Sequence, residues 1–278
     1  MVEAAPVTLC GSLSRHPVSL GAAMHRAGYA ALGLPFTYVP FATEDLEGAL
    51  RGMRALGIRG FGVSMPFKLD IIPLVDRLDP LAERIGAVNT VVNDAGVLTG
   101  FNTDAWGAAR ALEEVTALTG KRALVLGAGG AARAVAYSLA SEGMRVRLAN
   151  RTRAGAEALA AALRAAFPEA DPSACGLDDL RALDDLDVLV NGSSAGMAEY
   201  GAASPLPPGL LHPALVVMDI VYKPLDTELV RAARRAGCPT VNGGRMLLHQ
   251  AARQFELYTG HPAPLAAMDE ALRAAIGA

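Results

Sequence analysis

The chain has 278 residues, a formal net charge of −3 and an apolar fraction of 52%. This length suits one large or two modest domains, and the slightly acidic balance offers no broad basic surface for nucleic acid. No segment reaches the ~18 uninterrupted apolar residues of a membrane span, and no signal-peptide pattern is present. The three cysteines are scattered, which indicates reduced thiols. We therefore expect a soluble cytoplasmic protein with no nucleic-acid or membrane partner.

Strand and helix signals alternate along the first sixty residues. Apolar runs predict three strands, near residues 7–10, 37–41 and 59–64. Pro17 suits the first position of a helix that continues to about Leu32. Thr43 suits the cap of a second helix, which Gly57 follows. This alternation predicts an α/β fold with a parallel sheet ahead of the second half of the chain.

A hairpin and a helix mark a domain junction near residue 103. The hairpin is predicted from strands at 88–92 and 97–98 around the turn Asn93–Gly96, and the helix from about 104 to 118. We expect a first domain of residues 1–103 and a second of residues 104–239. Residues 240–278, with helices near 245–259 and 265–276, are expected to complete the first domain.

The second half opens with the apolar run Ala123–Leu126, which predicts a strand. A glycine-rich turn follows it, and then a predicted helix from Ala131 to Ser141. Gly127, Gly129 and Ala132 have the G-x-G-x-x-A spacing of dinucleotide-binding turns. The first glycine permits the turn, the second lets backbone approach a pyrophosphate, and the small third residue lets the helix pack. A strand at 144–149 supplies the βαβ context, and the phosphates would meet the free N–H groups at the helix start. The spacing alone is a weak signal, because glycine-rich strand ends are common turns.

The residues after the second strand indicate which dinucleotide binds. Where an NAD site carries Asp or Glu, this chain has Asn150-Arg151-Thr152-Arg153. Guanidinium groups bind a 2′-phosphate through charge-assisted hydrogen bonds, whereas a carboxylate repels it. The alternative is that both arginines are solvated charges opening the helix at 153–166, although cations there oppose the helix dipole. The sequence predicts NADP over NAD.

Two further strands, near 187–190 and 215–219, end in polar and glycine-rich residues. Ligands bind at the carboxyl ends of parallel strands in open α/β sheets, so 191–194 and 220–224 are candidate ligand loops. The five histidines show no metal-ligand spacing, and we expect no metal.

Several different short motifs lie along the chain: Met65–Lys68, Gly86–Thr90, Asn102–Asp104, Gly127–Ala131, Asn150–Thr152, Asn191–Met197, Asp219–Pro224, and Met246-Leu247 with Gln250. In this order and spacing they resemble the shikimate dehydrogenase family over nearly the whole chain. The resemblance implies an N-terminal α/β substrate domain, a Rossmann-type dinucleotide-binding domain and a cleft between them. It also implies NADP-dependent interconversion of 3-dehydroshikimate and shikimate, a step of the chorismate pathway in aromatic amino acid biosynthesis.

The resemblance assigns roles to individual residues. Oxidising a ring alcohol requires a proton acceptor while hydride leaves carbon, and Lys68 is a suitable candidate. By the resemblance, Lys68 is the catalytic lysine and Asp104 its partner. The implied substrate-binding residues are Ser12, Ser14, Ser64, Asn89, Asn102, Tyr222 and Gln250. The two asparagines could each hold a ring hydroxyl through one donor and one acceptor group. The implied NADP-binding residues are Gly127, Ala128, Gly129, Gly130, Ala131, Asn150, Arg151, Thr152, Arg153, Asn191, Ser193, Ser194, Met197, Val221 and Gly243.

Each of these roles has a structural alternative. Lys68 could be an ordinary surface lysine and Asp104 a helix-capping residue. Tyr222 could be a core residue, and Gln250 could face solvent on its helix. The motif context favours the functional roles for Lys68 and Asp104.

The loop after the first strand departs from the family pattern G-x-P-x-x-H-S-x-S-P, whose two serines hold the substrate carboxylate. Aligned on Pro17 and its predicted helix, Ser14-Arg15-His16 stands at Ser-x-Ser, with Ser12 as a substitute. Smaller departures are Gly62 in place of Asn, Ala105, and Gly155 in place of a phosphate-binding Arg for which Arg153 would compensate. Together they predict a divergent, shikimate dehydrogenase-like member with poor turnover of shikimate, unless Arg15 or His16 binds the carboxylate.

Two other functions stay open. The chain could be a quinate or other hydroaromatic polyol dehydrogenase, or an NADP-binding protein with little turnover. A monomer and a homodimer are equally compatible with the sequence.

Overall fold

The structure, a computed structural model, describes residues 6–277. Two six-stranded sheets organise it, which confirms the predicted α/β class. One compact unit takes in the described chain up to Thr103 and again from Gln250 onward, and the other runs from Asp104 to His249. Within 6–277, no helix combines the length and the apolar character needed to cross a bilayer.

The elements alternate through most of the chain. The strands are β1 (Thr8–Ser14), β2 (Phe36–Ala42), β3 (Gly60–Val63), β4 (Arg77–Leu78), β5 (Thr90–Asp94), β6 (Val97–Phe101), β7 (Arg122–Leu126), β8 (Arg145–Asn150), β9 (Ser173–Gly176), β10 (Val188–Asn191), β11 (Val216–Asp219) and β12 (Thr240–Val241). The α-helices are α1 (Leu20–Ala31), α2 (Leu46–Ala55), α3 (Pro80–Ile85), α4 (Thr103–Glu113), α5 (Gly130–Ser141), α6 (Arg153–Ala166), α7 (Glu228–Arg235), α8 (Gly243–Thr259) and α9 (Leu265–Ile276).

The sheet of the first unit is mixed, with strand order β2-β1-β3-β5-β6-β4. β1 runs parallel to β2 and β3, because helical crossovers return the chain to the same edge of the sheet. The β5–β6 hairpin then adds to β3 in the antiparallel direction. β4 pairs with β6 in the parallel direction, so β5 runs against the other strands of this sheet, and the parallel arrangement predicted for the first three strands is confirmed.

Two helix starts differ from their predictions. α1 begins at Leu20 rather than Pro17, because residues 17–19 are exposed and Leu20 is the first side chain of the segment to be buried. α2 is capped by Asp45 rather than Thr43, since Asp45 Oδ1 accepts a hydrogen bond from the Gly48 N–H at 2.7 Å. The Thr43 hydroxyl instead bonds the Asp45 N–H at 3.1 Å and shapes the turn before the cap.

The core of the first unit lies between the sheet and its helices. A buried cluster includes Leu13, Met53, Phe61, Val91 and Leu98, which come from β1, α2, β3, β5 and β6. Burial of such side chains is the main favourable term in folding. This cluster fixes the strand ends that carry the polar residues described below.

The sheet of the second unit is entirely parallel, with strand order β12-β11-β10-β7-β8-β9. The central strands β7, β10 and β11 are nearly continuous buried apolar runs, as expected when helices cover both faces of a sheet. β9, β12 and α7 were not predicted, because the two strands are short and α7 carries three arginines that mask its apolar face. α4 ends at Glu113, five residues before the predicted end at Leu118.

Candidate functional site

Polar residues gather at one edge of the sheet in the first unit. β1 ends there at Ser14, and the neighbouring parallel strand β3 is followed by Ser64 and Lys68. Because β5 runs antiparallel to β3, Asn89 precedes β5 at the same edge, and Asn102 follows β6 there for the same reason. Strand order alone therefore assembles five of the predicted site residues.

The Asn89 amide is held in a single orientation. Its Oδ1 accepts hydrogen bonds from the Thr103 N–H at 2.7 Å, the Thr90 hydroxyl at 2.9 Å and the Thr103 hydroxyl at 3.1 Å. Its Nδ2 lies 3.4 Å from Gln250 Oε1. The expectation that Asn89 offers a ligand both a donor and an acceptor is wrong, because Oδ1 is already occupied by three donors. Toward a ligand it presents only N–H groups.

Asn102 and Lys68 are fixed through their surroundings. Asn102 is 6% exposed, and its Nδ2 donates to the Ala87 carbonyl at 3.0 Å. The Lys68 carbonyl accepts from the Val88 N–H at 2.9 Å, and the preceding Phe67 is buried in the core. The backbone of Lys68 is thus anchored while its side chain is half-buried, which suits a group that must reach a ligand.

The serines of β1 have different environments. Ser14 is the last residue of the strand and is 7% exposed. Ser12 lies within the strand, where it hydrogen-bonds the buried Tyr38 phenol and partly offsets the rise that burial causes in the pKa of Tyr38. Arg15 and His16 are exposed. Because α1 begins at Leu20, the helix start at Pro17 on which the alignment was built is wrong, and the poor turnover inferred from that alignment stays a prediction without structural support.

Ser19 is a hydroxyl that the sequence analysis missed. It occupies the cap position of α1, and among residues 6–277 its side chain makes no capping hydrogen bond. A serine directly before an apolar helical residue is the usual start signal, and Leu20 supplies that residue here. The prediction instead placed the helix start at Pro17, two positions earlier, because proline suits the first position of a helix.

The glycine turn after β7 in the second unit fits the phosphates of a dinucleotide. Gly127 has a φ of +103°, a conformation that favours glycine. A Cβ built on Gly129 or Gly130 would meet nothing within 4 Å, so packing does not require glycine there and the backbone is open. No described side chain caps α5, which leaves the N–H groups of its first turn for an anion. Ala128 and Ala131 belong to the same turn.

The two arginines after β8 are not equivalent. Arg151 is exposed, and over the described chain no ion pair reaches it. Arg153 is also exposed, but it pairs with Glu157 at 3.1 Å and with Asp179 at 3.3 Å. Arg151 is therefore the better placed of the two to meet a phosphate.

The glycine at position 155 has a structural reason. Asn150 Nδ2 donates to the Thr152 carbonyl at 3.1 Å and to its hydroxyl at 2.9 Å, which folds the amide over the start of α6. A Cβ at Gly155 would lie 2.9 Å from that Nδ2. An arginine at 155 would displace the Asn150 amide.

A buried carboxylate that the sequence analysis did not single out lies at the end of β11. Asp219 Oδ1 accepts from Asn191 Nδ2 and from the Val221 N–H, both at 3.0 Å, and Oδ2 accepts from the Thr227 hydroxyl at 2.7 Å. Burial raises the pKa of Asp219, and these three hydrogen bonds oppose that rise. A single charged residue ending an otherwise apolar strand was the available signal.

Asn191 shapes the loop that follows β10. Its Nδ2 also donates to the Ala195 carbonyl at 2.9 Å, and its Oδ1 accepts from the Ser193 N–H at 3.1 Å and hydroxyl at 2.7 Å. The amide is fully used within the unit. Its contribution to a cofactor site would come through the backbone of the loop that carries Ser194 and Met197.

Two more predicted residues meet at the end of β11. Gly243, the first residue of α8, packs so closely that a Cβ would lie 2.5 Å from the Val221 carbonyl oxygen. Only glycine therefore lets α8 start here. Tyr222, which follows Val221, is half-buried in the second unit.

The described residues contain no group of three or more His, Cys, Asp or Glu side chains arranged to hold a metal ion.

Three family models match consecutive parts of the chain. They are the shikimate dehydrogenase substrate binding domain over residues 13–91, shikimate / quinate 5-dehydrogenase over residues 109–200, and the shikimate 5′-dehydrogenase C-terminal domain over residues 243–273.

Individual proteins match over nearly the full length. The shikimate dehydrogenase (NADP(+)) of Natronomonas pharaonis is 47% identical over 271 residues, which cover 96% of this chain and 98% of that protein. The shikimate 5-dehydrogenase of Thermus thermophilus, solved in complex with NADP(H) and shikimate, is 39% identical with a TM-score of 0.85, covering 97% and 100% of the two chains. The quinate dehydrogenase of Corynebacterium glutamicum, solved in complex with NAD, is 32% identical with a TM-score of 0.88, covering 96% and 99%.

Proposed function

The chain belongs to the shikimate dehydrogenase family, and on this premise we propose that it interconverts shikimate and 3-dehydroshikimate with NADP as its cofactor. The observation that carries the proposal is the full-length similarity to a shikimate dehydrogenase (NADP(+)). The open glycine turn and the exposed Arg151 support the cofactor. The three free cysteines support a cytoplasmic location, and the proposal covers both a monomer and a homodimer.

When bound, NADP accepts the hydride that leaves the ring carbon. In this chain, the backbone of Gly127–Ala131 and the start of α5 would hold its pyrophosphate. Asn150, Arg151, Thr152 and Arg153 would hold the phosphorylated ribose. The loop of Asn191, Ser193, Ser194 and Met197, with Val221 and Gly243, would complete the cofactor site.

Lys68 is proposed to take the hydroxyl proton as the hydride departs, and to return it in the reverse reaction. Its anchored backbone and half-buried side chain support this role. Asp104 is proposed to orient the ammonium group. A carboxylate beside the lysine would restrain the long side chain by hydrogen bonding and so hold its Nζ toward the substrate hydroxyl.

The substrate hydroxyls are proposed to lie against Asn89, Asn102 and Gln250. Since Asn89 has only N–H groups to offer, it would donate to a hydroxyl oxygen, and Gln250 would complete the contact. Ser14 and Ser19, at the end of β1 and the start of α1, would hold the substrate carboxylate, which the positive end of the helix dipole also favours. Ser12, Ser64 and Tyr222 remain parts of the proposed substrate site.

We expect Arg151→Ala to raise KM for NADP by ~10–100-fold, because one charge-assisted hydrogen bond to phosphate is worth ~1.5–3 kcal/mol. KM for NAD, which lacks the 2′-phosphate, should stay unchanged. Steady-state kinetics with each cofactor measures both. Arg145→Ala is the matched control, because Arg145 is the first residue of β8, the strand that Arg151 follows. Equal losses with NADP and NAD would remove Arg151 from phosphate recognition.

We expect kcat/KM with NADP to be higher for shikimate than for quinate by ~5–150-fold, since the extra ring hydroxyl of quinate would leave polar groups unpaired. Following NADPH absorbance with each substrate tests this. His16→Ser should match the parent, because His16 is exposed in the loop before α1. Equal or better use of quinate would favour a polyol dehydrogenase, and no turnover with either substrate would favour an NADP-binding protein.

A further inference from the structure

A chain of buried hydrogen bonds lies behind the Asn89 amide. It begins at His25 on α1, whose Nε2 is 3.4 Å from Gln254 Oε1 on α8. Gln254 Nε2 lies 2.9 Å from the Thr90 hydroxyl and 3.3 Å from the Asn89 carbonyl oxygen. His25 and Thr90 are fully buried and Gln254 is 4% exposed, so water does not compete for these groups. These hydrogen bonds link α1, α8 and β5.

The directions of the hydrogen bonds that Gln254 makes are determined. The Asn89 carbonyl can only accept, so the Gln254 atom that faces it must be the NH₂ nitrogen. Gln254 Oε1 then faces His25 and accepts its Nε2 proton. The Thr90 hydroxyl accepts from Gln254, so its own hydrogen is directed to Asn89 Oδ1 at 2.9 Å or to the Thr103 hydroxyl at 3.1 Å, and the contact with Asn89 is the shorter. Reversing the Gln254 amide would break this order at each step.

We propose that Gln254 is a positioning residue of the substrate site: its amide fixes the Asn89 backbone and turns the Thr90 hydroxyl, so that Asn89 presents only N–H donors to substrate. This inference rests on the proposed function, in which Asn89 binds a substrate hydroxyl. Gln254 acts only through Asn89 and Thr90.

Gly62 provides the space that this arrangement needs. A Cβ at position 62 would lie 3.0 Å from the Tyr38 hydroxyl and 3.1 Å from Gln254 Nε2. Tyr38 in turn stacks on the His25 ring, with centroids 4.3 Å apart and an interplanar angle of 6°. Gly62 stands where the family pattern has Asn. The side chains of Tyr38 and Gln254 therefore occupy the space that a larger side chain at position 62 would need.

The aromatic and thiol groups around Gln254 carry no charge near neutral pH, and the guanidinium of Arg59 reaches the Tyr258 carbonyl at 2.9 Å. Burial lowers the pKa of His25 to about 4, although the hydrogen bond with Gln254 opposes this. Burial raises the pKa of Tyr38 on β2 and of Tyr258 on α8, and raises that of Cys10 on β1 to about 12. The His25 Nε2–H donates in either charge state, so protonation of that ring reverses no bond.

Gln254→Glu tests the proposal, because a carboxyl group has the shape of the amide but a proton that can be removed. The protonated acid still accepts from His25 and donates to Thr90. The carboxylate only accepts, so it opposes the Asn89 carbonyl and draws the Thr90 hydrogen away from Asn89 Oδ1. Burial should raise the pKa of this carboxyl above ~4.3. We therefore expect the ratio of KM for shikimate between variant and parent to rise ~10-fold or more from about pH 5 to about pH 9. The corresponding ratio of KM for NADP should not change with pH.

Two further variants complete the experiment. Gln254→Met removes the hydrogen bonds without a titratable group, and its KM for shikimate should be raised by the same factor at every pH. Glu256→Gln, which makes the comparable carboxyl–amide change on α8 beside Arg253, should keep the parent's KM throughout. Thermal melting of all three variants separates stability from binding. A merely structural role would lower melting temperatures without a pH-dependent KM.

The outcomes are distinct. A parent that does not oxidise shikimate with NADP overturns the proposed function, and this inference with it. An active parent, together with Gln254→Glu and Gln254→Met variants that keep the parental KM for shikimate at every pH, overturns the inference alone. If Gln254→Glu does not fold, Gln254→Met decides: a raised KM for shikimate with parental KM for NADP supports the inference, and parental values for both contradict it.

Discussion

Lys68→Ala is expected to lower kcat for shikimate oxidation by ~10²–10⁴-fold, the usual contribution of a general acid or base. The variant keeps the backbone bond between the Lys68 carbonyl and the Val88 N–H, so the strand edge should stay in place. NADPH affinity should be unchanged, because the glycine turn and Arg151 belong to the second unit. Steady-state kinetics gives kcat, and a fluorescence titration gives the affinity for NADPH.

Lys121→Ala is the control for this experiment. Its ammonium contacts the Thr116 hydroxyl in the second unit, and its loss should leave kcat unchanged. Asp104→Asn should lower kcat by a smaller factor than Lys68→Ala, because the lysine would remain while its orientation is lost. A Lys68→Ala variant that keeps most of its turnover would exclude this lysine from proton transfer.

Asp219→Ala is expected to destabilise the protein by ~3–5 kcal/mol, since each buried donor left without a partner costs ~1–3 kcal/mol. Three donors would lose this acceptor: Asn191 Nδ2, the Val221 N–H and the Thr227 hydroxyl. Asp219→Asn should cost less, ~1–2 kcal/mol, because Oδ1 is retained and the Thr227 hydroxyl can rotate to accept from the new NH₂. Urea unfolding followed by circular dichroism measures both differences.

The control is Asp185→Asn, which weakens a partly exposed ion pair with Arg147 in the same unit. Pairs of this kind contribute ~0–1 kcal/mol, so a small change is expected. Similar losses for Asp219→Ala and Asp185→Asn would mean that the buried carboxylate does not hold the β10 and β11 loops. An equal cost for the Ala and Asn replacements would place the effect in packing rather than in hydrogen bonding.

The parts of the fold that were predictable from sequence depend on local constraints. The Gly127 turn needs a positive φ and a fixed spacing within one βαβ unit, and both are visible in a few consecutive residues. The helix at 153–166 was placed correctly because its apolar positions recur at helical spacing. Polar residues after strands could be assigned to one sheet edge, since the direction of parallel strands follows from the alternation of elements.

Contacts between distant parts of the chain could not be predicted in this way. His25 and Gln254 are 229 positions apart, and nothing near either residue signals the other. Asp179, which pairs with Arg153, follows β9, a strand too short and too weakly apolar to be recognised. The start of α1 was missed because two valid local signals, Pro17 and Ser19, compete within three residues, and burial of Leu20 decides between them.

The order of the chain in the first unit has a consequence for synthesis on the ribosome. α1 packs against α9, and the ring of Phe255 lies so close to Gly28 that a Cβ there would be 2.8 Å from its Cε2 atom. The first unit therefore requires the segment that follows Gln250, whereas the second is one continuous stretch from Asp104 to His249. Domains generally fold as units as they emerge. The first unit, whose residues up to Thr103 are synthesised before the second unit, is thus the later of the two to complete its core, and nascent chains truncated after His249 should already hold a folded second unit.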